Sequence, residues 1–250
     1  MVRVLAPVVA VLAIAPWAAA DVVAIGASKD NTLYEDAGGL LSNGLGPTFF
    51  AGRTSTGEIR RGLLAFDIAA AVPAGSTITG VRLNLHMSGN QVTAVDFGLH
   101  RVLAAWGEGT SNAGSPGGSG ASSTLGDATW VHTFFNTSFW STPGGDFVGA
   151  ASATASIAGV GAYSWSSVEM ASEVQAWLDT PAANYGWAVV GGEQTASSAK
   201  RFDSRQSTTA AFRPVLEVTY TPVPAPGTAL LAAGPFLFGA QRRRGPRLPF

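Results

Sequence analysis

Between Val81 and Met87 the chain alternates without a break. Val81, Leu83, Leu85 and Met87 fall on one side, Arg82, Asn84 and His86 on the other. Successive strand side chains point to opposite faces, so this stretch predicts a strand with one face on a core and one in water. Arg61 to Ile68, with Leu63, Leu64, Ala65 and Phe66 in a row, predicts a neighbouring strand buried more completely. The link from Ala70 to Gly80 holds Pro73, Gly75 and Gly80 and leaves no room for a long helix. Val95 to Val102 repeats the alternation. Val22 to Ile25, Phe49 to Ala51, Ala153 to Trp165, Tyr185 to Val190, Lys200 to Ser204 and Val215 to Tyr220 complete a set of about eight or nine short strands separated by turn signals.

Only one segment has a helical period. Val168, Ala171, Val174 and Leu178 are spaced for one helical face, Ser166 or Ser167 can cap it, Glu169 sits in the first turn and Pro181 stops it. The expected architecture is therefore all-β, an antiparallel two-sheet sandwich of the jelly-roll kind, with one short helix near residues 167–179. Thr110 to Gly126 is dominated by Gly and Ser, a composition that predicts a mobile surface loop.

Composition narrows the chemistry. The chain has no cysteine, which excludes disulfides, cysteine nucleophiles and cysteine-ligated metals. Five of the 15 basic residues (Arg3, Arg242, Arg243, Arg244 and Arg247) lie in the ends, so the stretch between sets ten basic against all 16 acidic residues, about −6. A domain of that sign repels a phosphate backbone, and no nucleic-acid partner is expected.

The ends read as sorting segments. Residues 1–20 carry Arg3, an apolar run from Val4 to Ala15 and then Ala18-Ala19-Ala20, the pattern of a secretory signal peptide. Residues 222–250 begin with the stiff Pro222-Val223-Pro224-Ala225-Pro226-Gly227, continue with apolar Thr228 to Ala240 and reach Arg242-Arg243-Arg244. Thirteen helical residues span about 20 Å, short of the roughly 30 Å hydrocarbon core, and the arginines would stay on the cytoplasmic side. This tail resembles the PEP-CTERM signal of Gram-negative bacteria, although Ala225 stands where the motif has glutamate. That resemblance implies an exosortase-type processing partner, transient anchoring in the membrane, and a final place at the cell surface or outside it. A simple degenerate anchor is the other reading.

Three constellations carry candidate chemistry. Seven of the ten internal basic residues fall in two stretches, Arg53, Arg60 and Arg61, then Lys200, Arg201, Arg205 and Arg213. If the stretches meet, their forked guanidinium groups suit the carboxylates or sulfates of an acidic polysaccharide. Ion pairs with Asp67, Asp203, Glu58 and Glu217 are the alternative. Trp106, Trp130 and Trp140 flank loops and are candidates to cover a sugar face, or else caps on the core. Asp30, Asn31, Glu35 and Asp36 offer hard oxygen ligands for a structural calcium ion, while an Asx turn accounts for Asp30-Asn31 as well. No cofactor is otherwise required. No H-x-H, H-E-x-x-H or G-x-S-x-G motif occurs, and no catalytic residue is assigned.

Across residues 21–221 the chain resembles the DNRLRE domains. Asp30-Asn31, Leu33 and Glu35 fit D-N-x-L-x-E, and Arg61 to Asp67, Val72 to Ile78, Val174 to Leu178, Arg201 to Arg205 and Arg213 to Leu216 follow in the family's order. Thr32 and Tyr34 stand where the signature has arginines. The resemblance implies an extracellular jelly-roll module, with some relatives similar to carbohydrate-binding modules and no established catalytic residues. The expected function is an exported, non-catalytic surface or matrix module that binds polysaccharide. A polysaccharide-active hydrolase or lyase, and a purely structural matrix protein, are the alternatives.

Overall fold

The computed structural model describes residues 19–89 and 92–223. The body of the leader and the tail beyond Val223 lie outside the described residues. β1 (Asp21–Tyr34), β2 (Leu41–Ser42), β3 (Thr48–Arg53) and β4 (Ile59–Phe66) precede a single helical turn, α1 (Ile68–Ala71). β5 (Thr77–Met87) and β6 (Val95–Arg101) follow, then the short β7 (Ala121–Ser122), β8 (His132–Phe134) and β9 (Ser138–Phe139). The chain finishes with β10 (Ala153–Ile157), β11 (Gly161–Trp165), α2 (Val168–Asp179), β12 (Trp187–Gly191), β13 (Lys200–Asp203) and β14 (Val215–Thr221). Every pairing is antiparallel.

The antiparallel, mostly β class is as expected, but the strands do not fall into two separate sheets. β1 pairs β14 through Asp21 to Gly26, shifts register between Ala27 and Lys29, and pairs β4 through Tyr34. A bulge of this kind bends a strand and lets it leave one layer for the other. β3 does the same at the opposite corner, pairing β13 through Thr48 to Ala51 and β4 through Gly52 and Arg53. The order β1-β14-β5-β13-β3-β4 thus closes on itself as a six-stranded ring, with β11 added to β5 and β12-β6-β10 extending from β4.

In the main core, Val81, Leu83, Leu85 and Met87 of β5 cluster with Leu64, Phe66, Phe97, Trp165, Trp177, Trp187 and Phe202, all buried. The helix seals one flank. Ser167 caps it by accepting from the Met170 N–H at 2.9 Å, and Met170, Val174, Trp177 and Leu178 turn inward. A second cluster lies on the outer face of β4, where Leu33, Leu63 and Ala65 pack with Val102, Trp106, Ala128, Trp130, Trp140 and Ala188. β4 is therefore covered on both faces, which is why its sequence reads as a continuous apolar run.

The excursion from Val102 to Phe147 makes that outer cover, and it corrects the expected mobile loop. Its Gly- and Ser-rich part is tethered from outside. The Tyr34 hydroxyl donates to the Gly117 carbonyl at 2.7 Å, Thr48 donates to Pro116 at 2.9 Å, and the Ala113 N–H donates to Asn43 Oδ1 at 2.7 Å. Leu41 and Ser42 pair with Ser122 and Ala121. Burying no apolar side chain of its own, the segment is held by polar groups that belong to β1, β3 and the turn before β3.

Candidate ligand-binding cleft

On a strand pair, residues directly opposite share a face. Phe50 of β3 lies opposite Arg201 of β13, and both turn outward, while Phe49 and Phe202 turn inward and stack at 5.3 Å between ring centroids. Gly52 lies opposite Arg60 of β4. Gly52 has φ +112°, and a Cβ there would come within 2.7 Å of the Ala199 Cα, so only glycine lets β3 turn from β13 to β4 at this point. The turn places Arg53 and Arg60 beside Phe50 and Arg201 on one cleft of about 580 Å³. Ser88, Pro116 and Val160 contribute walls, and among the described residues no Asp, Glu or His lines it.

The three cleft arginines are held differently. Arg53 donates Nε to the Gly57 carbonyl at 2.8 Å and Nη1 to the Glu193 carbonyl at 3.1 Å. Arg201 donates to the backbone carbonyl and hydroxyl of Ser88. Arg60 is 8 % exposed. Its Nη1 donates to its neighbour's carbonyl, Ile59 O, at 2.9 Å, its guanidinium lies 4.9 Å over the Tyr34 ring, and its buried Nε has no partner. Burial lowers its pKa from the usual value, while Tyr34, Glu58 and Glu35 pull the other way. A guanidinium stays charged under such a shift. None of the three makes a salt bridge within the described residues.

The other expected basic residues go elsewhere, because adjacent strand residues face opposite sides. Arg61 points away from Arg60, forks onto Glu193 (Nε–Oε1 2.7 Å, Nη2–Oε2 3.0 Å) and lies 4.9 Å over Trp130. Arg205 lies beyond the end of β13 and forks onto Glu108. Lys200 is fully buried and donates to the carbonyls of Thr93 at 2.6 Å and Ala158 at 2.9 Å. Desolvation lowers its pKa. Arg213 lies on a separate cavity beside His86 and Phe212. The expected single basic patch thus reduces to Arg53, Arg60 and Arg201. The ion pairs that these arginines form use Glu193 and Glu108, which the sequence did not single out for that role, while Asp203, which it did, lies 2.8 Å from His86 instead.

The candidate tryptophans take the second of their two readings, caps on the core. Trp106, Trp130 and Trp140 are all buried in the outer cluster, and the indole N–H groups of Trp106 and Trp140 donate at 2.8 Å to the carbonyls of Tyr185 and Thr129. The aromatic on the cleft is Phe50. The parity of Phe49-Phe50, one residue inward and one outward, is the signal that could have found it.

The four candidate calcium ligands do not converge. Asn31 is buried and organises its neighbourhood, accepting from the backbone N–H of Asn43 at 3.0 Å and donating to Ser42 Oγ at 2.9 Å and the Glu108 carbonyl at 3.0 Å. Glu35 accepts from the Ile59 N–H at 2.6 Å, and Asp36 accepts from Leu40 N–H at 2.7 Å in its own turn. Among the described residues no group of three or more His, Asp or Glu side chains is placed to hold a metal ion.

Asp30 belongs to a different cluster. It is fully buried, its Oδ2 accepts from the Arg205 N–H at 2.7 Å, and its Oδ1 has no partner. Its backbone N–H donates to Glu108 Oε1 at 3.0 Å. Burial pushes the Asp30 carboxyl up to about 8; the Arg205 N–H and the guanidinium oppose the shift and Glu108 adds to it. Lys29, donating to the Trp106 carbonyl and lying 4.0 Å over that ring, is lowered to about 8 by burial, with Glu108 opposing.

Compared with known proteins, the chain matches no family model and no curated protein. The DNRLRE-like and PEP-CTERM-like readings therefore rest on the residues that carry them.

Proposed function

We propose that this chain is an exported, non-catalytic β module whose arginine-lined cleft binds an acidic polysaccharide at the cell surface or in the extracellular matrix. Arg60 is the observation that carries the reading. A nearly buried guanidinium without a carboxylate partner is an unfavourable arrangement on its own, and an anion entering the cleft supplies the missing charge. Phe50 offers a flat apolar surface beside it, suited to one face of a sugar ring, with Arg53 and Arg201 on either hand. Glycosidic cleavage by acid and base needs a pair of carboxylates flanking the bond, and the residues that line this cleft supply none, which supports binding over catalysis there.

The leader at residues 1–20, the Pro-rich and arginine-ended tail and the DNRLRE-like motifs support export and an extracellular setting. The passage of β1 and β3 between layers supports reading the ring as a variant of jelly-roll winding. Among the described residues no helix is long and apolar enough to cross a membrane; the apolar run Thr228 to Ala240 and the arginines after it support anchoring through the tail.

Affinity electrophoresis in gels containing polygalacturonate tests the reading. The wild-type chain should be retarded there and not in a gel of neutral glucan. Phe50→Ala and Arg201→Ala should each weaken retardation about tenfold, the equivalent of roughly 1.4 kcal/mol of contact. Equal mobility in charged and neutral gels would remove the proposal. Arg205→Ala is the control, because Arg205 is committed to Glu108 and lies off the cleft. It should cost about 1–2 kcal/mol of unfolding free energy, discounted for the partial exposure of its side chain, and leave retardation unchanged.

A further inference from the structure

The run from Phe147 to Val168 contains no Asp, Glu, Lys, Arg, His or Pro, in a chain otherwise studded with acids. It supplies β10 and β11, joined by the short turn at 158–160 and packed against each other. Among the described residues β10 is the last strand of its row and pairs only with β6, and β11 pairs only with β5. The helix that follows packs mainly on β5 and α1, and meets the start of β10 through Ser152, which accepts from the Ser167 hydroxyl and donates to Glu173. One flank of the fold therefore ends in two neighbouring strand edges.

A strand edge presents unpaired N–H and C=O groups, and proteins guard such edges with lysine, proline, a bulge or a covering segment. β10 has no charge, no proline and an unbroken register from Ala153 to Ile157. Its Thr154 and Ser156 side chains are exposed, while Ala153, Ala155 and Ile157 turn toward the core.

We propose that β10 is a self-association edge, pairing antiparallel with β10 of a second copy of this chain about a two-fold axis through Ala155. The register argues for an identical partner. It sets Ala155 opposite Ala155 on the axis, where a large side chain would collide with its copy. It sets Thr154 opposite Ser156, so that hydroxyls can bond across the strands, and small Ala153 opposite large Ile157. Electrostatics favours the same flank. With 16 acidic and ten basic residues between leader and tail, two copies repel over most approaches, and they repel less where the strands that meet carry no charge, Asp96 of β6 (opposite Ser156) standing one strand back from the contact. An isologous contact of this kind closes on itself as a dimer.

The test is sedimentation equilibrium of the full chain across the micromolar range, with circular dichroism to confirm folding. Wild type should show a concentration-dependent monomer–dimer equilibrium. The double variant Thr154→Lys/Ser156→Lys, which sets lysine opposite lysine twice, should be monomeric, and so should Thr154→Glu/Ser156→Glu. An equimolar mixture of the two variants should recover the dimer, because each lysine then faces a glutamate. A wild-type chain that stays monomeric throughout, a lysine variant that associates as wild type does, or a mixture that does not associate would each overturn the proposal.

Discussion

Arg60→Met should abolish most binding to acidic polysaccharide and leave the protein as stable as before, or more stable. Among the described residues the guanidinium has only the Ile59 carbonyl as a hydrogen-bond acceptor, its Nε is unsatisfied, and no salt bridge reaches it. Methionine keeps an apolar stem of similar length over the Tyr34 ring and removes the desolvated charge. The lost cation–π contact costs about 0.5–1 kcal/mol, and the relieved desolvation offsets it. Binding moves the other way. Losing charge-assisted hydrogen bonds of about 1.5–3 kcal/mol lowers affinity roughly 10- to 100-fold. Retardation in polygalacturonate gels and thermal unfolding, measured on the same samples, check the two halves. A large loss of stability with affinity intact would make Arg60 a structural residue.

The second large effect is on stability against pH. Burial holds the Asp30 carboxyl protonated up to about pH 8, whereas in the unfolded chain it ionises near 4. Between those values the folded state binds a proton that the unfolded state lacks. Stability therefore falls as pH rises across the window, by about 1.4 kcal/mol per pH unit from this group. Lys29 has the opposite sign. Its folded pKa of about 8 lies below the unfolded value, so from about pH 8 to 10.4 the unfolded state binds more protons and stability recovers. These two groups together place a minimum near pH 8. Asp30→Asn keeps the acceptor for the Arg205 N–H and removes the ionisation. Its urea-unfolding free energies should no longer fall from pH 5 to 8, where the lowered pKa of His132 adds only a rise, and should still rise above pH 8. A variant whose curve runs parallel to wild type between pH 5 and 8 would contradict the assignment.

Much of the framework was legible in the chain because it is local. The alternation of Val81 to Met87 gives β5 with its inner face, the apolar run at Leu63 to Phe66 gives β4, and the spacing from Val168 to Leu178 with Ser167 as cap gives α2. What covers each face is not local. Trp106, Trp130 and Trp140 sit beside loops in the sequence, yet those same loops fold over β4 and bury them. The Gly- and Ser-rich stretch has the composition of a free loop, and only Tyr34, Asn43 and Thr48, far away in the chain, hold it down. The ring closure depends on the bulge after Ala27 and the turn at Gly52, and neither leaves a periodic trace.

The site divides the same way. That Arg60 and Arg61 face opposite sides follows from strand parity alone. That Arg60 meets Arg201 while Arg61 meets Glu193, 132 residues on, requires the fold. Asp30, 78 residues from Glu108 and 175 from Arg205, reads as a turn or metal ligand until those partners are placed around it.

Titration calorimetry of the wild-type chain with a galacturonate oligosaccharide, at low and high salt, tests the central claim most directly. The arginine cleft predicts a saturable one-site isotherm that weakens as salt rises and disappears in Arg60→Met, with Arg205→Ala indistinguishable from wild type. No heat of binding for the wild type, or an isotherm that Arg60→Met leaves unchanged, would contradict it.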